Sequence, residues 1–127
     1  MKTEISYEFL FDAAHHFPTM PDGHKYNGIH GHSFRVEVAV VGEPDTTNGF
    51  VVDLEGLEQA CEALRARLDH GLLNNIEGLE RPSLENIARW VWERLKPKYS
   101  GLGRVTVRRD SCRQGCTYFE PATSSLA

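Results

Sequence analysis

Apolar positions in the first forty residues recur with a period of two. Ile5, Tyr7, Phe9 and Phe11 alternate with Ser6, Glu8 and Leu10, and Phe34, Val36, Val38 and Val40 alternate with Arg35 and Glu37. Side chains two apart on a strand share a face, so each segment predicts a strand with one face buried. The first carries the chain into Ala13 to Phe17, and the second runs from His32 to a stop at Gly42-Glu43-Pro44. Between them, residues 18–31 hold Pro18, Pro21, Gly23, Gly28 and Gly31 together with Asp22 and Asn27, which predicts a long irregular loop. Loops of that length inside compact domains usually carry function.

After a turn at 45–49 and a short extended piece at Phe50-Val51-Val52, the spacing becomes helical. Asp53 is suited to N-cap a helix whose apolar stripe is Leu54, Leu57, Cys61, Leu64 and Leu68. Asp69 and His70 follow, and Gly71 is expected to supply the left-handed residue that ends the helix. Ser83 is the candidate cap of a second helix through Ile87, Trp90, Val91 and Leu95, which Pro97 stops. Arg104 to Arg109 and Cys116 to Phe119 predict a hairpin across a turn containing Arg113-Gln114-Gly115, with Cys112 and Cys116 packed in it as small apolar residues and Cys61 in the core. Residues 122–127 are expected to form a flexible tail. The order ββααββ describes one α+β domain over residues 1–121, with no repeat or linker.

Composition narrows the partners. At 127 residues the chain is long enough for a core that needs no disulfide, and 14 Lys plus Arg against 18 Asp plus Glu give a net charge of −4. No basic patch for nucleic acid or an anionic membrane is expected, and no apolar run approaches the roughly 20 residues of a spanning helix. The start lacks the regions of a secretory signal, and 3 cysteines make an odd count, so a cytoplasmic location is the expectation.

The unusual feature is histidine. Of 6 in the chain, His15, His16, His24, His30 and His32 lie between residues 15 and 32. In an extended segment His30-Gly31-His32 sets two imidazoles on one side, with no side chain at Gly31 to crowd a metal; two exposed loop histidines are the plainer alternative. His15, at the end of the neighbouring strand, offers a third nitrogen. Three histidines leave a tetrahedral Zn²⁺ one open position, the pattern of a catalytic site. His16 should point to the opposite face, and His24 toward solvent or substrate. Asp69-His70 is the second candidate, a carboxylate fixing an imidazole for proton transfer, against the alternative of a histidine favoured by the helix dipole alone.

Taken in order, Phe11-Asp12-Ala13-Ala14-His15, Gly23-His24-Lys25, His30-Gly31-His32-Ser33, Leu68-Asp69-His70 with Leu73-Asn74, Pro82-Ser83-Leu84-Glu85-Asn86, Asp110-Ser111-Cys112 and Gly115-Cys116-Thr117-Tyr118 resemble the 6-pyruvoyl-tetrahydropterin synthase and 6-carboxy-tetrahydropterin synthase family, most of all its bacterial queuosine-pathway type. The resemblance covers about residues 5–120 and implies a tunnelling fold: a four-stranded antiparallel sheet with two helices on one face, closing a barrel in a trimer, with two trimers stacked into a homohexamer and active sites between subunits. It implies Zn²⁺ on His15, His30 and His32, proton transfer by Asp69 and His70, and a pterin held by Asp110 and Ser111. The implied substrate is 7,8-dihydroneopterin triphosphate, converted to 6-carboxy-tetrahydropterin with release of acetaldehyde and triphosphate.

Two positions depart from the family pattern. Tyr26 stands where the family has its catalytic cysteine, and a phenol, with a pKa near ~10 against roughly 8.5 for a thiol, is a poorer base at neutral pH. Asp110 stands where the family usually has Glu, one methylene longer. Three classes of function follow: a zinc-dependent lyase for queuosine (preQ0) biosynthesis, in which Tyr26, His70 or water replaces the thiol; a divergent paralogue binding zinc and a pterin or purine with altered or little catalysis; and a zinc-storing or structural hexamer. Storage has no use for Asp69-His70.

Overall fold

Both alternating segments form strands. In the computed structural model, which describes residues 1–121, β1 spans Thr3–His15 and β2 spans His30–Gly42; the tail expected at 122–127 lies outside the described residues. The strands pair antiparallel, with Phe9 opposite Val36, Phe11 opposite Phe34, Ala13 opposite His32 and His15 opposite His30. β2 thus begins two residues earlier than its local pattern suggests. His30 and Gly31 join the ladder because His15 and Ala14 lie across from them, a long-range pairing that outweighs the loop preference of Gly28 and Gly31.

β3 (Leu102–Arg109) and β4 (Gln114–Phe119) complete one antiparallel sheet in the order β1-β2-β3-β4. Their turn lies earlier than expected. Asp110–Cys112 form a short 3-10 turn, Arg113 adopts a left-handed φ of 57°, and Gln114 is already paired with Arg109. That shift overturns the expected burial of Cys112: its place in the turn leaves it exposed, while Cys116 packs at the core edge and Cys61 is fully buried. Phe50-Val51-Val52 is no strand either; Val51 and Val52 pack against the core from a bend.

Helix α1 (Leu54–Leu68) is capped by Asp53, whose carboxylate accepts the Glu55 N–H at 3.1 Å, and α2 (Leu84–Leu95) by Ser83, whose hydroxyl accepts the Asn86 N–H at 3.1 Å. Leu57, Cys61, Leu64 and Leu68 from α1 and Ile87, Ala88, Val91 and Leu95 from α2 meet Phe9, Phe11, Phe34, Val36, Val105 and Val107 of the sheet. The Phe11 and Phe34 rings stack with centroids 4.8 Å apart. On the opposite face, Arg104 pairs with Glu4 and Glu37, and Arg35 with Glu8 and Asp110. Among the described residues no helix is long and apolar enough to cross a membrane.

The end of α1 departs from the glycine cap. Asp69 is extended, and the left-handed residue is His70, at φ 61°, not Gly71. A non-glycine residue there costs about 1–2 kcal/mol, offset by attachment to β1. The His70 N–H donates to the Asp12 carbonyl, the Ala14 N–H donates to the Gly71 carbonyl, and Leu72 makes a parallel bridge with Ala14. Asn74 fastens the next stretch, accepting the His16 N–H at 3.1 Å and donating to the His16 carbonyl at 2.9 Å. Asn74→Ala leaves both His16 backbone groups unpaired and is expected to cost about 1–3 kcal/mol of stability, measured by urea denaturation, with far-ultraviolet circular dichroism unchanged.

Candidate metal centre

The register of β1 and β2 puts His15, His30 and His32 on the same face as Phe11 and Phe34, at the end of the sheet where the core opens. One ligand-capable atom from each of the three lies within 4.8 Å of the others, and the ring centroids of His15 are 4.6 Å from His30 and 5.1 Å from His32. His15 is only 1% exposed.

Hydrogen bonds orient two of the rings. His15 Nδ1 lies 2.9 Å from the Pro82 carbonyl, and His30 Nδ1 lies 2.8 Å from the Gly28 carbonyl. A carbonyl only accepts, so each Nδ1 carries the proton and each Nε2 keeps its lone pair. Those Nε2 atoms, at His15 and His30, are buried with no partner. Orphaned acceptors in one cluster, on imidazoles whose other nitrogen is anchored to backbone, fit a metal ion. Burial pushes the His15 pKa down to about 4, with the neighbouring His30, His32 and Arg109 adding to the effect; burial, then Arg109 and His30, lowers His32. Both shifts favour the neutral form of His15 and His32, the form that metals bind.

The centre opens into a cavity of about 460 Å³ lined by Lys25, Tyr26, His30, His32, Arg109, Cys112 and Gln114. The loop between β1 and β2 supplies its wall. The Phe17 N–H donates to the Tyr26 carbonyl at 2.7 Å, and the Asn27 side chain donates to the Met20 carbonyl at 2.7 Å. The Tyr26 ring lies almost parallel to His30, at 24° with centroids 6.0 Å apart. His24 is half-buried, its Nδ1 accepting the Tyr26 N–H at 3.1 Å. The lining holds two cationic side chains and no carboxylate, which makes it an anion-accepting space. Arg109, Cys112 and Gln114 gave no signal in the sequence, because they reach the cavity only through the shifted β3–β4 turn.

Asp69 and His70 form a built dyad. Asp69 Oδ2 lies 2.8 Å from His70 Nδ1 and Oδ1 accepts the Asp12 N–H at 2.9 Å; these bonds, the backbone one foremost, hold the Asp69 carboxyl below its usual range. The carboxylate is 18% exposed and the imidazole 78%. The dyad does not share the triad's cavity. His70 and Ser111 line a second, larger one of about 700 Å³ with Asp12 and Ser33, whose side chains leave the opposite face of the strands; among the described residues His32 borders both. Asp110 is engaged as well, with Arg35 donating to it from Nε at 2.9 Å and from an η nitrogen at 3.1 Å. That fork lowers the Asp110 pKa. His16 ends outside both cavities, its backbone tied to Asn74.

The sequence model of the family described as 6-pyruvoyl tetrahydropterin synthase matches residues 4–121. The chain belongs to that family. Within it, this synthase-family chain is 37% identical over 115 residues to the dihydroneopterin monophosphate aldolase of Pyrococcus furiosus, covering 91% of this chain and 92% of that protein. It is also 37% identical over 125 residues to the 6-carboxy-5,6,7,8-tetrahydropterin synthase of a Synechocystis species, covering 94% and 95%. The solved 6-pyruvoyl tetrahydropterin synthase of Caenorhabditis elegans superposes with a TM-score of 0.85 at 26% identity, over 95% of this chain and 97% of that one. The fold is therefore the tunnelling fold of these synthases.

Two outcomes follow from the geometry. His30→Ala with His32→Ala is expected to abolish metal binding, read by elemental analysis of the purified protein. In metal-free protein His15 must stay neutral to remain folded, whereas an unfolded histidine takes its proton near ~6.5. Stability is thus full above about pH 6.5 and declines as pH falls toward about 4; thermal melts after chelation across that range read it, and His15→Asn flattens the decline.

Proposed function

We propose that this synthase-family chain is a zinc-dependent lyase that converts 7,8-dihydroneopterin triphosphate to 6-carboxy-tetrahydropterin, a step toward the deazapurine of queuosine. The observation that carries the proposal is the pair of buried, unpartnered Nε2 atoms at His15 and His30 beside a cationic cavity free of carboxylates. Three imidazoles suit Zn²⁺. Zinc held by His15, His30 and His32 would supply Lewis acidity to the hydroxyls of the pterin side chain, lowering their pKa. Lys25 and Arg109 attract the phosphate end of the substrate into the same space.

The protein's own groups divide the remaining work. Asp69 holds the His70 Nδ1–H, which leaves Nε2 free to take a proton and the resulting imidazolium stabilised. Tyr26, at the wall of the metal cavity, is the phenol available where the family's cysteine stands. Asp110 and Ser111 are assigned to the pterin; Asp110 accepts the guanidine-like pterin edge in place of the Arg35 fork. Because the dyad and the triad face different cavities, a complete site needs a second copy of the chain. Trimers stacked into a hexamer meet that need, and β1 and β4, the two edge strands at opposite sides of the sheet, suit barrel closure between copies where residues 70–72 do not cover β1.

A second reading has one specific observation behind it, the similarity to the Pyrococcus aldolase together with Tyr26 in the place of a thiol. In a retro-aldol step a base removes the proton of the 2′-hydroxyl, the C1′–C2′ bond breaks, and the electron pair passes into the pterin ring before C1′ is protonated. The products are a hydroxymethyl pterin and a phosphorylated aldehyde. The deciding experiment gives zinc-loaded wild type and Tyr26→Cys both 7,8-dihydroneopterin triphosphate and the monophosphate, with chromatography of pterins and aldehydes. Acetaldehyde from the triphosphate with wild type is the expected result. Phosphorylated aldehyde from the monophosphate alone would assign the aldolase, and acetaldehyde from Tyr26→Cys alone would mark a divergent paralogue.

A further inference from the structure

Two of the three clustered histidines share one construction. His15 Nδ1 meets the Pro82 carbonyl and His30 Nδ1 meets the Gly28 carbonyl, and in each the Nε2 atom is buried and unpartnered. His32 has no carbonyl at Nδ1. Its Nδ1 faces the Sγ of Cys112 at 3.8 Å, within reach of an N–H···S bond. On its other side, Nε2 meets an η nitrogen of Arg109 at 3.5 Å, at the limit of a hydrogen bond, while the same guanidinium donates to Gln114 Oε1 at 2.7 Å. The two contacts use different η nitrogens, and the one to His32 is long, so Arg109 holds the His32 Nε2 lone pair only weakly, beside the orphaned ones of His15 and His30.

Resting on the zinc centre proposed above, we propose that Cys112 is a positioning residue of that centre: its sulfur accepts the Nδ1–H of His32 and so turns His32 Nε2 to the metal. The thiol does for the third histidine what two backbone carbonyls do for the others. It stands outside the cluster of mutually close ligand atoms, which contains the three histidines alone. The turn holds it there. Asp110, at the start of the turn, is forked by Arg35, the Arg113 N–H closes onto the Asp110 carbonyl at 3.0 Å, and Ser111 Oγ lies 3.9 Å from the sulfur. Among the described residues the contact recorded at His32 Nδ1 is this sulfur. The consequence is that the centre has one exposed and replaceable orienting group, whereas the other two are main chain.

The full-length protein tests this by zinc competition against a chromophoric chelator, comparing wild type with Cys112→Ala, Cys112→Val and Cys112→Ser. Ala and Val remove the acceptor and are expected to weaken zinc binding by about 10-fold or more, the usual effect of losing the partner of a ligating histidine; Ser, whose hydroxyl accepts the same N–H, is expected to retain near-wild-type affinity. Long-range ¹H–¹⁵N spectra should show His32 as a single Nδ1–H form in the wild type and Ser proteins and as mixed tautomers in metal-free Ala and Val. Equal zinc affinity in all four proteins overturns the positioning role, and so does a thiolate charge-transfer band in the cobalt-substituted wild type that disappears in Cys112→Ser, since the sulfur would then be a direct ligand. A wild type that binds no zinc overturns the centre itself, a distinguishable result.

Discussion

The register between β1 and β2 is the constraint on which the rest of the molecule depends. Phe11 lies across from Phe34 and the rings stack, which fixes Ala13 opposite His32 and His15 opposite His30. A slip of one residue would carry every side chain of one strand to the other face. The phenylalanines would then face the charged side, and the histidines would be divided between the two faces. The hydrophobic core therefore sets the ligand geometry: the apolar alternation that buries Phe9, Phe11, Phe34 and Val36 continues into His15, His30 and His32 at the strand ends. The clustered histidines and the core residues form one stripe.

Around this stripe the charges are segregated. The outer face of the sheet carries carboxylates and guanidiniums in interlocked pairs, Arg104 with Glu4 and Glu37, and Arg35 with Glu8 and Asp110. Exposed pairs of this kind contribute little stability individually, yet they keep the acids away from the metal cavity. That cavity retains Lys25 and Arg109 with no acidic side chain. Burial and the nearby cationic charge both favour the neutral form of His15 and His32, so lone pairs gather at one end of the cavity and positive charge at its wall.

Much of this was legible along the chain. The period-two segments, the two capped helices and the order ββααββ all follow from local spacing, and His30-Gly31-His32 on an extended segment places two imidazoles together without reference to any other residue. The errors came where a distant partner overrode local preference. Gly71 has the residue type of a helix terminator, but the hydrogen bond from His70 to Asp12 moved the left-handed conformation one residue earlier. Gly28 and Gly31 suggested loop, but pairing with β1 extended β2 back to His30. In the β3–β4 hairpin, the left-handed Arg113 moved the turn forward and brought Cys112 to the metal centre instead of the core.

The sequence by itself determined the class of fold, the family, the three histidines that cluster and the existence of an Asp-His pair, because each depends on residue type and spacing within one element or between adjoining ones. Only the tertiary structure decided which face each group serves. It set Asp69-His70 along the edge of β1, in a cavity it shares with His32 but not with His30 or Tyr26, engaged Asp110 with Arg35, and brought Arg109 and Cys112 up to His32. The physical reason is that side-chain direction along a strand alternates with every residue. Two positions within a few residues of each other can therefore belong to different sites, and the exact residue at which a strand starts or a turn closes is set by hydrogen bonds to segments far away in sequence.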